Sequence, residues 1–109
     1  MLLLLDENLP KKLKIDFIEH EVYTVFDKGW NGIKNGALLQ LMIDNSFDAL
    51  LSYDKNLQHQ QNFSKHAITV FILKAEINQY DVLTKLTPKI KSYLNNPPMP
   101  TGPVVISND

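Results

Sequence analysis

Short apolar runs alternate along the chain with segments whose apolar residues recur at helical spacing. The first run, Leu2 to Leu5, is continuously apolar, as expected for a strand that is covered on both faces. The β-branched and aromatic run from Val22 to Phe26 predicts a second strand over 21–26. Further strands are predicted at 48–52, 67–73 and 104–106.

Helical patterns occupy the segments between these strands. Pro10 suits the first turn of a helix that we expect to end near His20, with Leu13 and Phe17 on one face. Pro88 cannot lie inside a helix without cost, so the pattern over 79–94 predicts two helical pieces with a break near Thr87. The other predicted segments are a helix at 37–43 and a short helix or loop at 55–63.

This order of elements is typical of βαβ units, which form parallel sheets. We therefore predict an α/β fold, a three-layer α/β/α sandwich with a central, mostly parallel sheet of four to five strands. A chain of 109 residues has the usual size of one domain, so 1–109 is predicted to be a single domain. Its Pro-rich C-terminal extension, 97–109, is expected to add a final strand or to cover the core.

Composition limits the chemistry that the chain can support. The net charge is −1 and all 11 basic residues are lysines, so neither a positive field nor an arginine fork marks a nucleic-acid-binding protein. The chain has no cysteine, so any metal ion must be held by oxygen or histidine ligands. The apolar start, Met1 to Leu5, is too short for a signal sequence or a membrane span. We expect a cytoplasmic protein that has no membrane partner.

Three acidic residues follow predicted strands: Asp6 the first, Asp27 the second and Asp54 the third. In an open parallel sheet, ligands bind beyond the carboxyl ends of the strands, where the strand order reverses. Carboxylates gathered there repel one another unless a cation neutralises them, and oxygen ligands favour Mg²⁺ or Mn²⁺. The sequence therefore predicts a Mg²⁺ or Mn²⁺ site centred on Asp6 and Asp54, to which Asp27 contributes only if its loop bends inward.

A plainer interpretation is that these carboxylates cap the helices that follow the strands. Asp6 alone is explained equally well in that way. The run Asp6-Glu7-Asn8, however, contains more acid and amide groups than one cap needs, and Asp54 adds another acid. Glu7 and Asn8 are therefore further candidate site residues.

Three motifs of the chain resemble a bacterial PIN-like family that is related to the toxin nucleases of toxin–antitoxin pairs. They are Leu-Leu-Leu-Asp-Glu-Asn-Leu-Pro at 3–10, Glu-His-Glu-Val at 19–22 and Leu-Leu-Ser-Tyr-Asp-Lys-Asn-Leu at 50–57. The resemblance implies a PIN-like fold and an endoribonuclease in which Mg²⁺ or Mn²⁺ activates water for attack on a phosphodiester. It implies catalytic and ligand roles for Asp6 and Asp54 and a weaker ligand role for Glu7. RNA as substrate, an antitoxin-like or other protein partner and a homodimer are implied in the same way.

Two positions depart from the family pattern. Asn56 stands where the family usually has a further acid, and the acid expected at the start of the second helix is replaced within the segment 34–37. An amide oxygen binds Mg²⁺ weakly, so cleavage is expected to be weakened or lost. The alternative is a non-catalytic PIN-like module that binds RNA or protein. Lys55, beside Asp54, is expected either to hold a phosphate or to balance charge.

Receiver domains of two-component signalling offer another interpretation. They place an acidic pair after the first strand, a phosphorylated aspartate after the third and a lysine after a late strand, which Asp6-Glu7, Asp54 and Lys74 imitate. The segment after Asp54 lacks the turn residues of receivers, and Lys74 follows the fourth predicted strand instead of the fifth. We attribute this similarity to the strand-end geometry that doubly wound sheets share.

Overall fold

A computed structural model describes residues 1–60, 63 and 65–108, and the strands in this part of the chain form one sheet. All neighbouring strands run parallel, in the spatial order β2-β1-β3-β4-β5, which confirms the predicted α/β class and parallel sheet. The strands are β1 (Leu2–Leu5), β2 (Glu21–Thr24), β3 (Ala49–Ser52), β4 (Thr69–Leu73) and β5 (Gly102–Ile106).

The helical segments that connect the strands are short. The described α-helices are α1 (Asn35–Asp44), α2 (Leu57–Gln60), α3 (Tyr80–Leu83) and α4 (Thr87–Leu94), and two 3₁₀ helices are η1 (Lys11–Phe17) and η2 (Thr84–Leu86). The break predicted near Thr87 is confirmed, because Pro88 lies in the first turn of α4, where its missing N–H costs nothing. The segment predicted at 55–63 contains α2, while residues 61 and 62 lie outside the described residues.

The first predicted helix has a different form from the one expected. It is the 3₁₀ helix η1, with Leu13 and Phe17 buried as predicted. A 3₁₀ helix rises by about 2.0 Å per residue, so a few residues are enough to return along a short strand. The connection between the neighbouring parallel strands β1 and β2 is therefore made by a 3₁₀ helix and not by an α-helix.

Two strand boundaries also differ from the prediction. β2 ends at Thr24 and not at Phe26, because Thr24 and Asp27 exchange hydrogen bonds between their side chains and backbone N–H groups and turn the chain. The final strand begins at Gly102, earlier than the predicted 104, and pairs with β4 along its length. Gly102 has φ 94°, a backbone conformation that glycine adopts without strain. The last residue of the predicted extension, 109, lies outside the described residues.

Buried side chains cover both faces of the sheet and make the fold a three-layer α/β/α sandwich. On one face, Leu3, Leu5 and Leu51 pack against η1 and the α3-η2-α4 segment, through Leu13, Phe17, Leu83, Leu86, Ile90 and Leu94. On the other face, Leu4, Leu50 and Ile72 pack against α1 and α2, through Leu38, Leu39, Met42 and Leu57. The strands are covered on both sides, which explains their continuously apolar sequences. In the described part of the chain, no helix combines the length and the apolarity needed to cross a bilayer.

The order of the strands creates a crevice between β1 and β3. The chain leaves β1 toward η1 on one face of the sheet, and it leaves β3 toward α2 on the other face. Neighbouring strands whose connections depart in opposite directions form a topological switch point, which is where open α/β sheets bind ligands. The residues that follow Leu5 and Leu51, which are paired in the sheet, lie at this point.

Candidate functional site

Asp6 is the first residue beyond β1 and is held at the switch point by its own backbone. Its N–H donates to the carbonyl oxygen of Leu51 at 2.9 Å, which continues the pairing of β1 with β3. Its carboxylate accepts the hydroxyl of Ser52 at 2.7 Å and the N–H of Glu7 at 2.9 Å. The residue is only 8% exposed. Asp6 is therefore a nearly buried acid whose position is fixed from both the backbone and the side chain.

Ser52 connects the two predicted acids. Its side chain is fully buried at the end of β3, and its hydroxyl donates to Oδ2 of Asp6. The same oxygen accepts the N–H of Asp54 at 3.1 Å and Nδ2 of Asn8 at 3.4 Å. One hydroxyl thus contacts the side chain of Asp6 and the backbone of Asp54. The structure therefore places both residues within hydrogen-bond distance of the same serine hydroxyl.

Asp54 is half-buried and also has a local structural role. Its Oδ1 accepts the N–H of Asn56 at 2.9 Å, and its carbonyl oxygen accepts the N–H of Leu57, the first residue of α2. The Asp54 carboxylate therefore caps the turn that leads into α2, and its backbone oxygen contacts the first residue of that helix. A carboxylate that caps a turn through one oxygen still has acceptor capacity on both oxygens, so the two roles are compatible.

The electrostatics of Asp6 agree with this arrangement. Burial raises the pKa of Asp6 above its ordinary range, and the hydrogen bonds from Ser52 and Glu7 oppose that change. The negative charges of Glu7 and Asp54 raise the pKa of Asp6 further, as smaller contributions than burial. Burial therefore makes the ionised form of Asp6 less favourable than that of an exposed aspartate.

Asn8 ties the loop after β1 to two other loops. Its side-chain oxygen accepts the N–H of Tyr53 at 3.1 Å, and its backbone oxygen accepts Nδ2 of Asn78 at 2.6 Å. Tyr53 in turn donates its hydroxyl proton to the carbonyl oxygen of Ala75 at 2.5 Å. Asn8, predicted as a supporting site residue, thus connects the loop after β1 to the loop after β3 through its side chain and to the loop after β4 through its backbone.

The remaining predicted acids are engaged elsewhere. Oε1 of Glu7 accepts the N–H of Gly32, in the loop between β2 and α1, at 3.3 Å. Oδ2 of Asp27 accepts Nζ of Lys14 at 2.5 Å and the N–H of Thr24 at 2.8 Å. The bond from Lys14, followed by the bond from the Thr24 backbone, lowers the pKa of Asp27 to about 2. Asp27 therefore anchors η1 to the turn after β2, and a ligand role for Glu7 stays a prediction.

Lys55 and Asn56 extend from the loop that carries Asp54, and both are exposed. Each lines a hollow of about 480 Å³ beside the end of β4, together with Gln58, His59 and Lys74. The loop after β3 therefore carries both the acidic Asp54 and the basic Lys55.

The oxygen donors at this site are of the kind that a hard divalent cation prefers, but few of them are charged. Asp6 and Asp54 offer carboxylate oxygens, and Asn8 and Asn56 are amides in the same two loops. Within residues 1–60, 63 and 65–108, no group of three or more His, Asp or Glu side chains is arranged to hold a metal ion. Mg²⁺ is often held by one or two carboxylates and otherwise by water and substrate oxygens. A pair of acids thus fits that pattern, although it neutralises the ion less than four acids would.

Ser52 is the site residue whose role was not predicted from the sequence. The sequence carries a signal for it, because it is the one polar residue of the strand Ala-Leu-Leu-Ser at 49–52. Its connection to Asp6 depends on the strand register, in which Leu5 pairs with Leu51 and the next residues lie side by side. A register between strands 46 residues apart in the chain is not visible in local sequence.

No protein-family model matches this chain, and no curated protein or solved structure is similar enough to it to count as a match. The resemblance to the PIN-like family therefore stays a prediction. The candidate site rests on the geometry of Asp6, Ser52 and Asp54 at the switch point of the sheet.

Proposed function

We propose that the protein holds a Mg²⁺ or Mn²⁺ ion between Asp6 and Asp54 and cleaves RNA weakly, as a PIN-like endoribonuclease. The observation that carries this proposal is the link from Asp6 through the buried Ser52 hydroxyl to Asp54, at the switch point of a parallel sheet. The raised pKa of Asp6 supports it, because a desolvated carboxylate beside other acids is stabilised by a cation.

Each residue of the site has a distinct part in the proposed reaction. A bound Mg²⁺ or Mn²⁺ ion would supply Lewis acidity toward a water molecule and a phosphate oxygen. Asp6 is the fixed ligand, because Ser52 and the Glu7 N–H hold its carboxylate in one orientation. Asp54 is the more exposed acid and is able to accept a proton from the attacking water. Hydrolysis then adds water across one P–O bond of the strand.

The proposed activity is weak because the site has few charges. Asn56 supplies an amide where the family has an acid, and its backbone N–H already donates to Asp54. The Asp27 carboxylate is paired with Lys14 in the turn after β2, so its charge is balanced there. With less negative charge, a divalent ion is held less tightly and a bound water loses its proton less readily.

RNA cleavage in the presence of Mn²⁺ or Mg²⁺ tests this proposal. We expect slow, metal-dependent cleavage of single-stranded RNA by the wild type. For Asp6→Asn, we expect the cleavage rate to fall by at least about 10²-fold. Asp44→Asn is the matched control, because Asp44 is an exposed acid whose side chain accepts a bond from Gln40 on α1. Its cleavage rate is expected to equal that of the wild type.

Two results would contradict the nuclease proposal. Equal, metal-independent cleavage by the wild type and by Asp6→Asn would identify a contaminant. RNA binding without any metal-dependent cleavage would instead support the non-catalytic PIN-like module, in which the same surface binds RNA or protein and does not cut.

The strand order favours a second candidate, a receiver-like phosphoacceptor. The order β2-β1-β3-β4-β5 is that of flavodoxin and of receiver domains, and Asp54 follows β3 with a partly accessible carboxylate. Incubation with acetyl phosphate and Mg²⁺ tests it. A phosphoryl group that is attached to the wild type, absent from Asp54→Asn and removed by hydroxylamine would establish an acyl phosphate on Asp54.

Two wider parts of the proposal rest on the family resemblance, an antitoxin-like or other protein partner and a homodimer, while a cytoplasmic location is proposed from the composition and the short apolar start. Light scattering on the purified chain measures its mass in solution and separates a dimer from a monomer.

A further inference from the structure

Two lysines each line two neighbouring hollows near the carboxyl ends of the strands. Lys55 directly follows Asp54, and Lys74 directly follows β4, where its N–H donates to the carbonyl oxygen of Ile106 at 2.8 Å. Both line a hollow of about 410 Å³ and a second hollow of about 480 Å³. The two hollows therefore meet at this lysine pair, next to the loop that carries Asp54.

The linings of these hollows are rich in hydrogen-bond donors. The first contains Ser107 and Asn108, and the second contains Asn56, Gln58 and His59. Glu76, in the first hollow, is the acid among the described lining residues. Neither Lys55 nor Lys74 forms an ion pair with a carboxylate in the part of the chain that the structure describes. The pair thus presents positive charge that no described acid compensates by direct contact.

We propose that Lys55 and Lys74 bind backbone phosphates of a single-stranded RNA that crosses the carboxyl edge of the sheet. This inference rests on the proposed function and names the surface that holds the strand beside Asp6 and Asp54. Ammonium groups bind phosphate oxygens as point charges, while hydroxyl and amide groups complete the contacts. Contacts of this kind are independent of base sequence.

The position of the two lysines favours an RNA strand that also reaches Asp6 and Asp54. Lys55 and Asp54 are consecutive residues, so a phosphate bound by Lys55 is held by the same loop that carries the predicted metal ligand. Lys74 extends the positive surface away from Asp54, toward the end of β5. A lysine surface beside two acids holds a polyanion that the acids alone would repel.

Salt-dependent RNA binding tests the inference without any cleavage. The probe is a fluorescein-labelled oligouridine of about 12 nucleotides, within the range that one small domain covers, in buffer with EDTA. Each phosphate contact on a single strand contributes about 0.7 to the slope of log K against log salt. We expect Lys55→Gln and Lys74→Gln each to reduce the magnitude of the slope by about 0.7. Between ~1 M and ~50 mM salt, the affinity of each variant should therefore rise about eightfold less than that of the wild type.

Two further variants make the test specific. Lys65→Gln removes the same charge from an exposed lysine in the turn before β4, at the opposite edge of the sheet, and is expected to leave the slope unchanged. Glu76→Gln removes the acid of the first hollow and is expected to tighten binding. Far-UV circular dichroism establishes that each variant is folded.

The outcomes separate this inference from the proposed nuclease activity. Metal-dependent cleavage by the wild type, together with unchanged RNA binding in Lys55→Gln and Lys74→Gln, would overturn the inference and leave the nuclease standing. Binding that weakens in both variants, but not in Lys65→Gln, supports the inference even if no cleavage is detected. An equal loss in all three variants, or no RNA binding by the wild type, would also overturn it.

Discussion

The hydroxyl of Ser52 is the residue-scale feature on which the candidate site depends most. It is fully buried, and it donates to a carboxylate that is itself only 8% exposed. A buried hydrogen bond to a charged group is worth more than a neutral one, and its loss leaves the carboxylate without a partner in a poorly solvated place. A single oxygen atom therefore affects both stability and electrostatics.

Replacing Ser52 with alanine tests this role. We expect Ser52→Ala to lower the free energy of unfolding by about 1–3 kcal/mol. We also expect the pKa of Asp6 to rise further, because the hydrogen bond from Ser52 opposes the effect of burial. Urea unfolding measures the first change, and an NMR titration of the Asp6 carboxyl carbon measures the second.

Ser92→Ala is the control for this substitution. Ser92 is exposed on α4, so the free energy of unfolding is expected to change by less than about 0.5 kcal/mol. An Asp6 pKa that is the same in Ser52→Ala as in the wild type would show that the serine does not stabilise the ionised carboxylate.

At the scale of single elements, the apolar pattern predicted where helices and strands lie along the chain better than which kind of helix forms. The strand at Leu2–Leu5 and the break before Pro88 depend on local chemistry, a fully apolar run and a missing N–H, and both were predicted from the sequence. The 3₁₀ form of η1 was not, because it depends on the distance that the chain must cover beside β1. The early end of β2 was missed because Thr24 and Asp27 are a turn pair inside a run of strand-forming residues.

The ion pair between Lys14 and Asp27 joins η1 to the turn after β2, and acid should weaken it. The pKa of Asp27 is lowered to about 2 in the folded protein, below the ordinary aspartate value of 3.8. A lowered pKa stabilises the fold above the unfolded-state pKa, and that contribution is lost as the pH falls toward about 2. We expect Asp27→Asn to lose less stability than the wild type between about pH 6 and about pH 2.5.

Urea unfolding at several pH values measures this difference. Asp44→Asn removes the same charge from the exposed face of α1 and is expected to keep the acid dependence of the wild type. If Asp27→Asn and Asp44→Asn lost stability in parallel with the wild type, the bond from Lys14 would have no share in the acid response.

At the scale of the whole molecule, the parallel sheet was predictable and the site was predictable in part. Alternating apolar and amphipathic segments are enough to indicate βαβ units, and strand ends are enough to select Asp6 and Asp54. Strand order and register were not predictable, because they depend on pairings between distant parts of the chain, such as Leu5 with Leu51. For the same reason, the role of Ser52 and the hollows that Lys55 and Lys74 both line were not predictable.

Metal binding should stabilise the whole fold, since the two acids belong to different strands. A ligand that binds only the folded chain raises the free energy of unfolding by about 1.4 kcal/mol at ten times its Kd. We expect Mn²⁺ to raise the Tm of the wild type, and we expect no such rise for Asp6→Asn. Thermal unfolding followed by circular dichroism measures this effect independently of any RNA.

Asp48→Asn is a suitable comparison for the metal experiment. Asp48 accepts the N–H of Leu2 at 2.8 Å, at the amino edge of the sheet and away from the site. Its response to Mn²⁺ is expected to match that of the wild type. An identical rise in Tm for Asp6→Asn would place the bound ion somewhere other than the candidate site.

The hydroxyl of Ser52 also makes the two acids unequal, because it has a single proton. That proton goes to Asp6, while the N–H of Asp54 and the amide of Asn8 donate to the same oxygen. The Asp6 carboxylate is thus fixed by a bond from the neighbouring strand, while the Asp54 carboxylate is held, among the described residues, by a bond from its own turn. In the proposed metal site, Asp6 would therefore fix the position of the ion, and rotation of Asp54 would accommodate ions of different radius.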